Sequence, residues 1–139
     1  MRLQIHLFIV SAVFLLTMGS STLPLFAQQE QAIRVGKKGD FHLNASIRVS
    51  DTVLKEGMYQ IQHVAEGGND VIIFREILMG YRSNMGNQRL GKEVARVKCR
   101  IEPTANEWKN TKLILRANAT GEKEVLQVQI KGEKVKHLF

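Results

Sequence analysis

Few side chains here have the types and spacing that chemistry requires. Beyond the amino-terminal apolar stretch, the candidates for metal ligation are His42, His63, His137 and the single cysteine, Cys99. No two of the histidines stand at the i, i+4 or two-residue spacing that marks a metal site in a sequence, so they read as surface or strand-end histidines, with no metal or cofactor called for. Cys99 shares its side of an alternating segment with Val97 and Ile101, which makes it a buried structural thiol. No serine stands in a Gly-x-Ser-x-Gly elbow and no glycine-rich loop resembles a phosphate cradle. Asp40, Asp51 and Asp70 fall in turns, where aspartate bonds its own backbone. The sequence therefore assigns no catalytic residue and points to a protein that is not an enzyme.

Positive charge is the sharper signal. Arg96, Lys98 and Arg100 alternate along one segment, and Lys112 and Arg116 sit at matching positions in the next. If those segments pair as strands, five cations share one outer face, an electropositive surface suited to an anionic partner. Nucleic acid is a poor fit, because aromatic residues make up only 6% of the chain and base stacking needs them. Tyr81, Met85 and Arg89 lie in a polar glycine-containing stretch, Gly80 to Leu90, that would add a rim beside this face.

The compartment follows from the first 27 residues. Arg2 supplies positive charge, Leu7 to Met18 is almost unbroken apolar sequence, and Leu25-Phe26-Ala27 ends on a small residue, the pattern of a cleaved secretory signal. The apolar stretch falls short of the ~20 residues a spanning helix needs. Removing these 27 of the 139 residues, Arg2 among them, leaves 112 residues with a formal charge of +6. That is enough chain for one core. A secreted or periplasmic protein with these charges would meet anionic envelope polymers or lipid headgroups before it met nucleic acid.

The elements that must position these residues are strands. Gln28 to Asp40 reads as a flexible polar lead-in, and residues 41–139 as one β domain. Phe41 to Val49 alternates apolar and polar without an error, as a half-buried strand does. Met58 to Val64 places Tyr59 and Ile61 on one face, and Glu66-Gly67-Gly68-Asn69-Asp70 reverses the chain. Val71 to Phe74 is β-branched and aromatic, a strand buried on both faces, while Phe74, Ile77, Leu78 and Tyr81 keep a helical spacing that leaves the segment's continuation open. Glu93 to Glu102 alternates again and stops at Pro103. Thr111 to Ala117 directs Leu113 and Leu115 inward. Glu124 to Lys131 directs Leu126, Val128 and Ile130 inward, and the turn Lys131 to Lys134 precedes a short final strand. About seven strands divided by turns describe an all-β fold, an antiparallel β-sandwich or small barrel.

Val53 to Ile61, with Leu54, Gly57, Tyr59 and Ile61, resembles the Leu-x-x-Gly-x-Tyr-x-Ile segment of prealbumin-like and carboxypeptidase-regulatory-like β-sandwich domains. The 112 residues as a whole are similar to small exported β-rich proteins of uncharacterised function from soil bacteria. The first resemblance implies a sandwich in which Gly57 permits close approach and Tyr59 closes the core edge; the second implies no activity. The combined expectation is a non-enzymatic exported domain that rests on an anionic envelope component through Arg96, Lys98, Arg100, Lys112 and Arg116. The alternatives are a small barrel carrying an apolar ligand, which needs a cavity of several hundred Å³, and a hydrolase, which needs a histidine to meet a carboxylate in a cleft.

Overall fold

The computed structural model describes residues 30–79 and 88–139. Residues 1–27, read above as a signal, and the stretch holding Tyr81 and Met85 lie outside the described residues. Ten strands and no helix run through the rest: β1 (Gln31–Arg34), β2 (Asp40–Leu43), β3 (Ile47–Val49), β4 (Thr52–Leu54), β5 (Gly57–Glu66), β6 (Asn69–Met79), β7 (Gln88–Pro103), β8 (Lys112–Ala117), β9 (Lys123–Gln129) and β10 (Val135–Leu138). Eight pair in the order β1-β8-β9-β10-β7-β6-β5-β2, all antiparallel. The two edges, β1 and β2, are separated in sequence only by Val35 to Gly39, so the sheet must curl until they approach, and it is nearly closed into a barrel. The β3–β4 hairpin joins through a short parallel contact of β3 with β9.

The all-β expectation is met, with more strands than the seven or so read from the sequence. Gln31–Arg34 is not a frayed lead-in: it pairs with β8 along its length. Phe41 to Val49 is not one strand either, because the chain leaves the sheet at Asn44 to Ser46, where Ala45 is exposed. Phe41, Leu43, Ile47 and Val49 nevertheless all stay buried, since the break preserves the inward phase. Gly67 and Gly68, at φ 56° and 79°, form the two-residue turn between β5 and β6 that the right-handed twist of a hairpin favours.

Val71 to Phe74 is buried on both faces as expected, and the strand continues to Met79 in place of a helix. Ile72 and Phe74 enter the core; Val71 and Ile73 face the other way. An ion pair from Arg96 on β7 to Glu66 on β5 crosses that outer face of β6, while Glu93 takes the other edge of the same guanidinium at 2.7 Å. In β9 the inward residues are Val125 and Val128, not Leu126. The register with β8 slips between Ile114 and Leu115, leaving Leu126 as the extra residue of a bulge whose carbonyl accepts the Phe139 amide.

The core is filled by side chains. Phe41 stacks on Tyr59 at 5.8 Å and meets Phe74 edge-on at 6.3 Å. Leu43, Leu54, Leu113, Leu115, Val125 and Val128 close the space around them. Tyr59 donates its hydroxyl to the Lys55 carbonyl at 2.9 Å, which fixes the ring over the Gly57 turn. Recesses of about 380 Å³ (Val53, Lys55, Tyr59, Glu76, Lys92) and 290 Å³ (Gln31, His42, Asn44, Lys123) open at the surface with mixed polar and apolar walls. Neither is the enclosed apolar chamber that a lipid carrier requires.

Arg48 of β3 holds Glu122, in the β8–β9 turn, by two bonds of 3.0 Å. These hydrogen bonds, with the guanidinium charge and a bond from Asn118, keep the Glu122 carboxyl below its usual range despite partial desolvation. A carboxyl lowered in the folded state stabilises the fold above its ordinary pKa of 4.5 and loses that contribution as pH falls through the folded value. In thermal melts, the acid-side decline should therefore be shallower for Glu122→Gln than for the parent, and the variant's midpoint should be lower at neutral pH.

Candidate metal centre

At one end of the barrel, five side chains from four neighbouring strands and one turn form a ring of contacts. His63 sits on β5, in phase with Tyr59 and Ile61, so it points inward. Asp70 is the second residue of β6, not the turn residue read from the sequence, and lies opposite Cys99 of β7. His137 is central in β10, in register with Ile101 of β7 and Val128 of β9. Glu133 comes from the β9–β10 turn, which the β7–β8 loop clamps: the Trp108 amide donates to the Glu133 carbonyl at 3.1 Å, the Gly132 amide to the Trp108 carbonyl at 2.9 Å, and the Trp108 indole to the Val135 carbonyl at 2.7 Å. Trp108 is thus a strut for Glu133 and not a free stacking platform.

The distances trace one continuous network. His63 Nε2 lies 2.8 Å from Asp70 Oδ1, and His63 Nδ1 lies 3.2 Å from Glu133 Oε1. The other Glu133 oxygen lies 2.7 Å from His137 Nε2. His137 Nδ1 is 3.4 Å from Cys99 Sγ, and that thiol donates to the Asp70 carbonyl at 3.3 Å. The imidazole rings are 4.4 Å apart. His137 has no exposed side chain, whereas His63 and Glu133 keep 25% and 30% of theirs in solvent.

One ligand atom each from His63, Glu133 and His137 falls within a sphere where every pair is 4.8 Å or closer. Ligands about 2.0–2.2 Å from a tetrahedral zinc stand roughly 3.3 Å from one another, so small rotations of these side chains suffice to close on an ion. Two imidazole nitrogens and a carboxylate oxygen suit zinc and its borderline neighbours better than magnesium or calcium, which prefer oxygen alone. Comparison with family models, with curated proteins and with solved structures gives no match.

The same contacts also form a thiol–imidazole–carboxylate line, Cys99–His137–Glu133, the order of a cysteine nucleophile and its base. Two observations weigh against that use. Burial, reinforced by the charge of Asp70, pushes the Cys99 thiol up to about 11, the reverse of what a nucleophilic thiolate needs. His137 is also fully buried, and its two ring nitrogens are already taken by Cys99 and Glu133.

The histidines, read as surface or strand-end residues with their convergence left open, divide: His137 is buried and meets His63, while His42 is exposed and lines the 290 Å³ recess. Cys99 faces inward as read. The cationic face is also redrawn, because β7 does not pair with β8; β10 and β9 lie between them. Lys98 and Arg100 are exposed on β7, but Arg96 is held by Glu66 and Glu93. Lys112 is in register with Gln129 and Arg34, and Arg116 faces Glu124. Of the remaining rim residues, Arg89 belongs to β7 rather than to a loop.

Proposed function

We propose that this protein is an exported β domain that binds one divalent transition ion of the zinc class through His63, Glu133 and His137. The observation that carries the proposal is the convergence of one donor atom from each residue within 4.8 Å, drawn from three separate elements. Such convergence of a buried and a half-buried imidazole on one carboxylate is not needed to fill a core; an apolar residue at position 137 would do that at lower desolvation cost. The partial exposure of His63 and Glu133 leaves a solvent-side position for a fourth ligand, water in the simplest case.

The proposed role is ion binding and not bond-making. The Asp70 carboxylate is engaged by His63 Nε2 at 2.8 Å and is not held free as a general base for bound water. The amino-terminal pattern of Arg2, Leu7 to Met18 and Ala27 supports export, and the exposed Lys98 and Arg100 give the domain a surface able to rest against an anionic envelope polymer or headgroup. Metal-free protein dialysed against buffered zinc at neutral pH should take up one ion per chain and release it on acidification, because protons compete for the imidazole nitrogens. Stoichiometry well below one at micromolar free zinc contradicts the proposal.

A further inference from the structure

Asp70 touches neither Glu133 nor His137 through its carboxylate, yet it contacts both halves of the cluster. Its side chain takes His63 Nε2 at 2.8 Å. Its main-chain carbonyl accepts the Cys99 thiol at 3.3 Å, and Cys99 in turn stands 3.4 Å from His137 Nδ1. We infer that Asp70 is the positioning residue of the metal centre, fixing the orientation and tautomer of both imidazoles, one through its carboxylate and the other through Cys99. The inference rests on the zinc reading proposed above.

A neutral imidazole has one N–H and one lone pair, and the partner of one nitrogen decides which atom the other presents. A carboxylate accepts, so His63 Nε2 carries the hydrogen and Nδ1, facing Glu133, offers its lone pair to a cation. A thiol whose hydrogen is committed to a carbonyl presents sulfur lone pairs, so with a cation in place of the proton between His137 Nε2 and Glu133, His137 Nδ1 donates to the sulfur and Nε2 is the metal-binding atom. Both lone pairs then face the Glu133 carboxylate. The strand register makes this possible, since Asp70 is opposite Ala65 on β5 and Cys99 on β7, with His63 two residues along from Ala65 on the same face. Groups that hold the far nitrogen of a ligating histidine are typically worth about 10- to 100-fold in metal affinity.

The test compares zinc dissociation constants, measured against a chromophoric chelator, for full-length parent, Asp70→Asn, Cys99→Ala and Cys99→Ser. Asp70→Asn keeps the main-chain carbonyl but removes the carboxylate charge, and should weaken zinc by about 10- to 100-fold. Cys99→Ala should weaken it by about tenfold or more, and Cys99→Ser, which restores a donor and an acceptor, should recover most of the loss. In copper(II)-loaded protein, pulsed electron paramagnetic resonance of the remote imidazole nitrogens should show one nitrogen altered in Asp70→Asn and the other in Cys99→Ala. Metal-free melts of each variant establish that folding is intact. Zinc binding by the parent with unchanged affinity in all three variants overturns the positioning role and leaves the metal centre standing. A parent that binds no zinc overturns both.

Discussion

Zinc at a hundredfold excess over its dissociation constant is expected to raise the thermal midpoint by roughly 10–20 °C. An ion that binds only the folded chain contributes about 2.7 kcal/mol at that excess, and a domain of this size gains ~4–8 °C per kcal/mol. The effect should be large because the three ligands come from β5, the β9–β10 turn and β10, so one ion ties the carboxyl-terminal strand to the barrel wall. His63→Gln should abolish the zinc-dependent shift while leaving the metal-free melt close to that of the parent, since His63 is partly exposed and its loss opens no sealed cavity. Glu133→Gln should behave alike. His137→Gln should also abolish the shift but lower the metal-free midpoint, because its side chain has no solvent to retreat to. A shift of equal size in His63→Gln and parent would place the zinc elsewhere.

The second large effect belongs to the core. Phe74 is fully buried and meets Phe41 edge-on, with Ile61 opposite on β5 and Ala95 opposite on β7. Removing its ring leaves a cavity in the middle of the sheet, where β5, β6 and β7 cannot collapse without breaking their ladders. Phe74→Ala should cost about 3–5 kcal/mol in equilibrium urea unfolding. A loss under about 1 kcal/mol would mean that the interior is not the close-packed body described above. The contrast between the two predictions is diagnostic: Phe74→Ala weakens the fold with and without zinc, whereas His63→Gln matters only when zinc is present.

The strand pattern was legible because period-two alternation survives local interruptions. Phe41, Leu43, Ile47 and Val49 kept their inward phase through the break at Asn44 to Ser46, and Cys99 kept its own beside Val97. Bulges were not legible. The slip that brings Val125 rather than Leu126 inward depends on pairing with β8, which no local residue announces. The cation face failed for a related reason. Arg96, Lys98 and Arg100 were given Lys112 and Arg116 as neighbours by order in the chain, but the long β7 pairs with β6 along one stretch and β10 along the other.

The site itself left a signal. His63 is in phase with Tyr59 and Ile61, and His137 is in phase with Val135 and Phe139, so both histidines fall on inward positions where a surface reading is inconsistent. Glu133 and His137 also stand at i, i+4, a spacing usually read on helices, here produced by a turn that runs into a strand. What no pattern in the chain could supply was the neighbourhood of β5 with β10, which are separated by β6 and β7 in the sheet and meet across the curl of the barrel.

X-ray absorption at the zinc edge of the loaded protein reads directly which atoms hold the ion. A centre of His63, Glu133 and His137 gives a shell of nitrogen and oxygen only, at about 2.0–2.2 Å, with the outer scattering of two imidazoles. A sulfur scatterer near 2.3 Å would place Cys99 in the coordination sphere in place of His137. That result would contradict the centre described here.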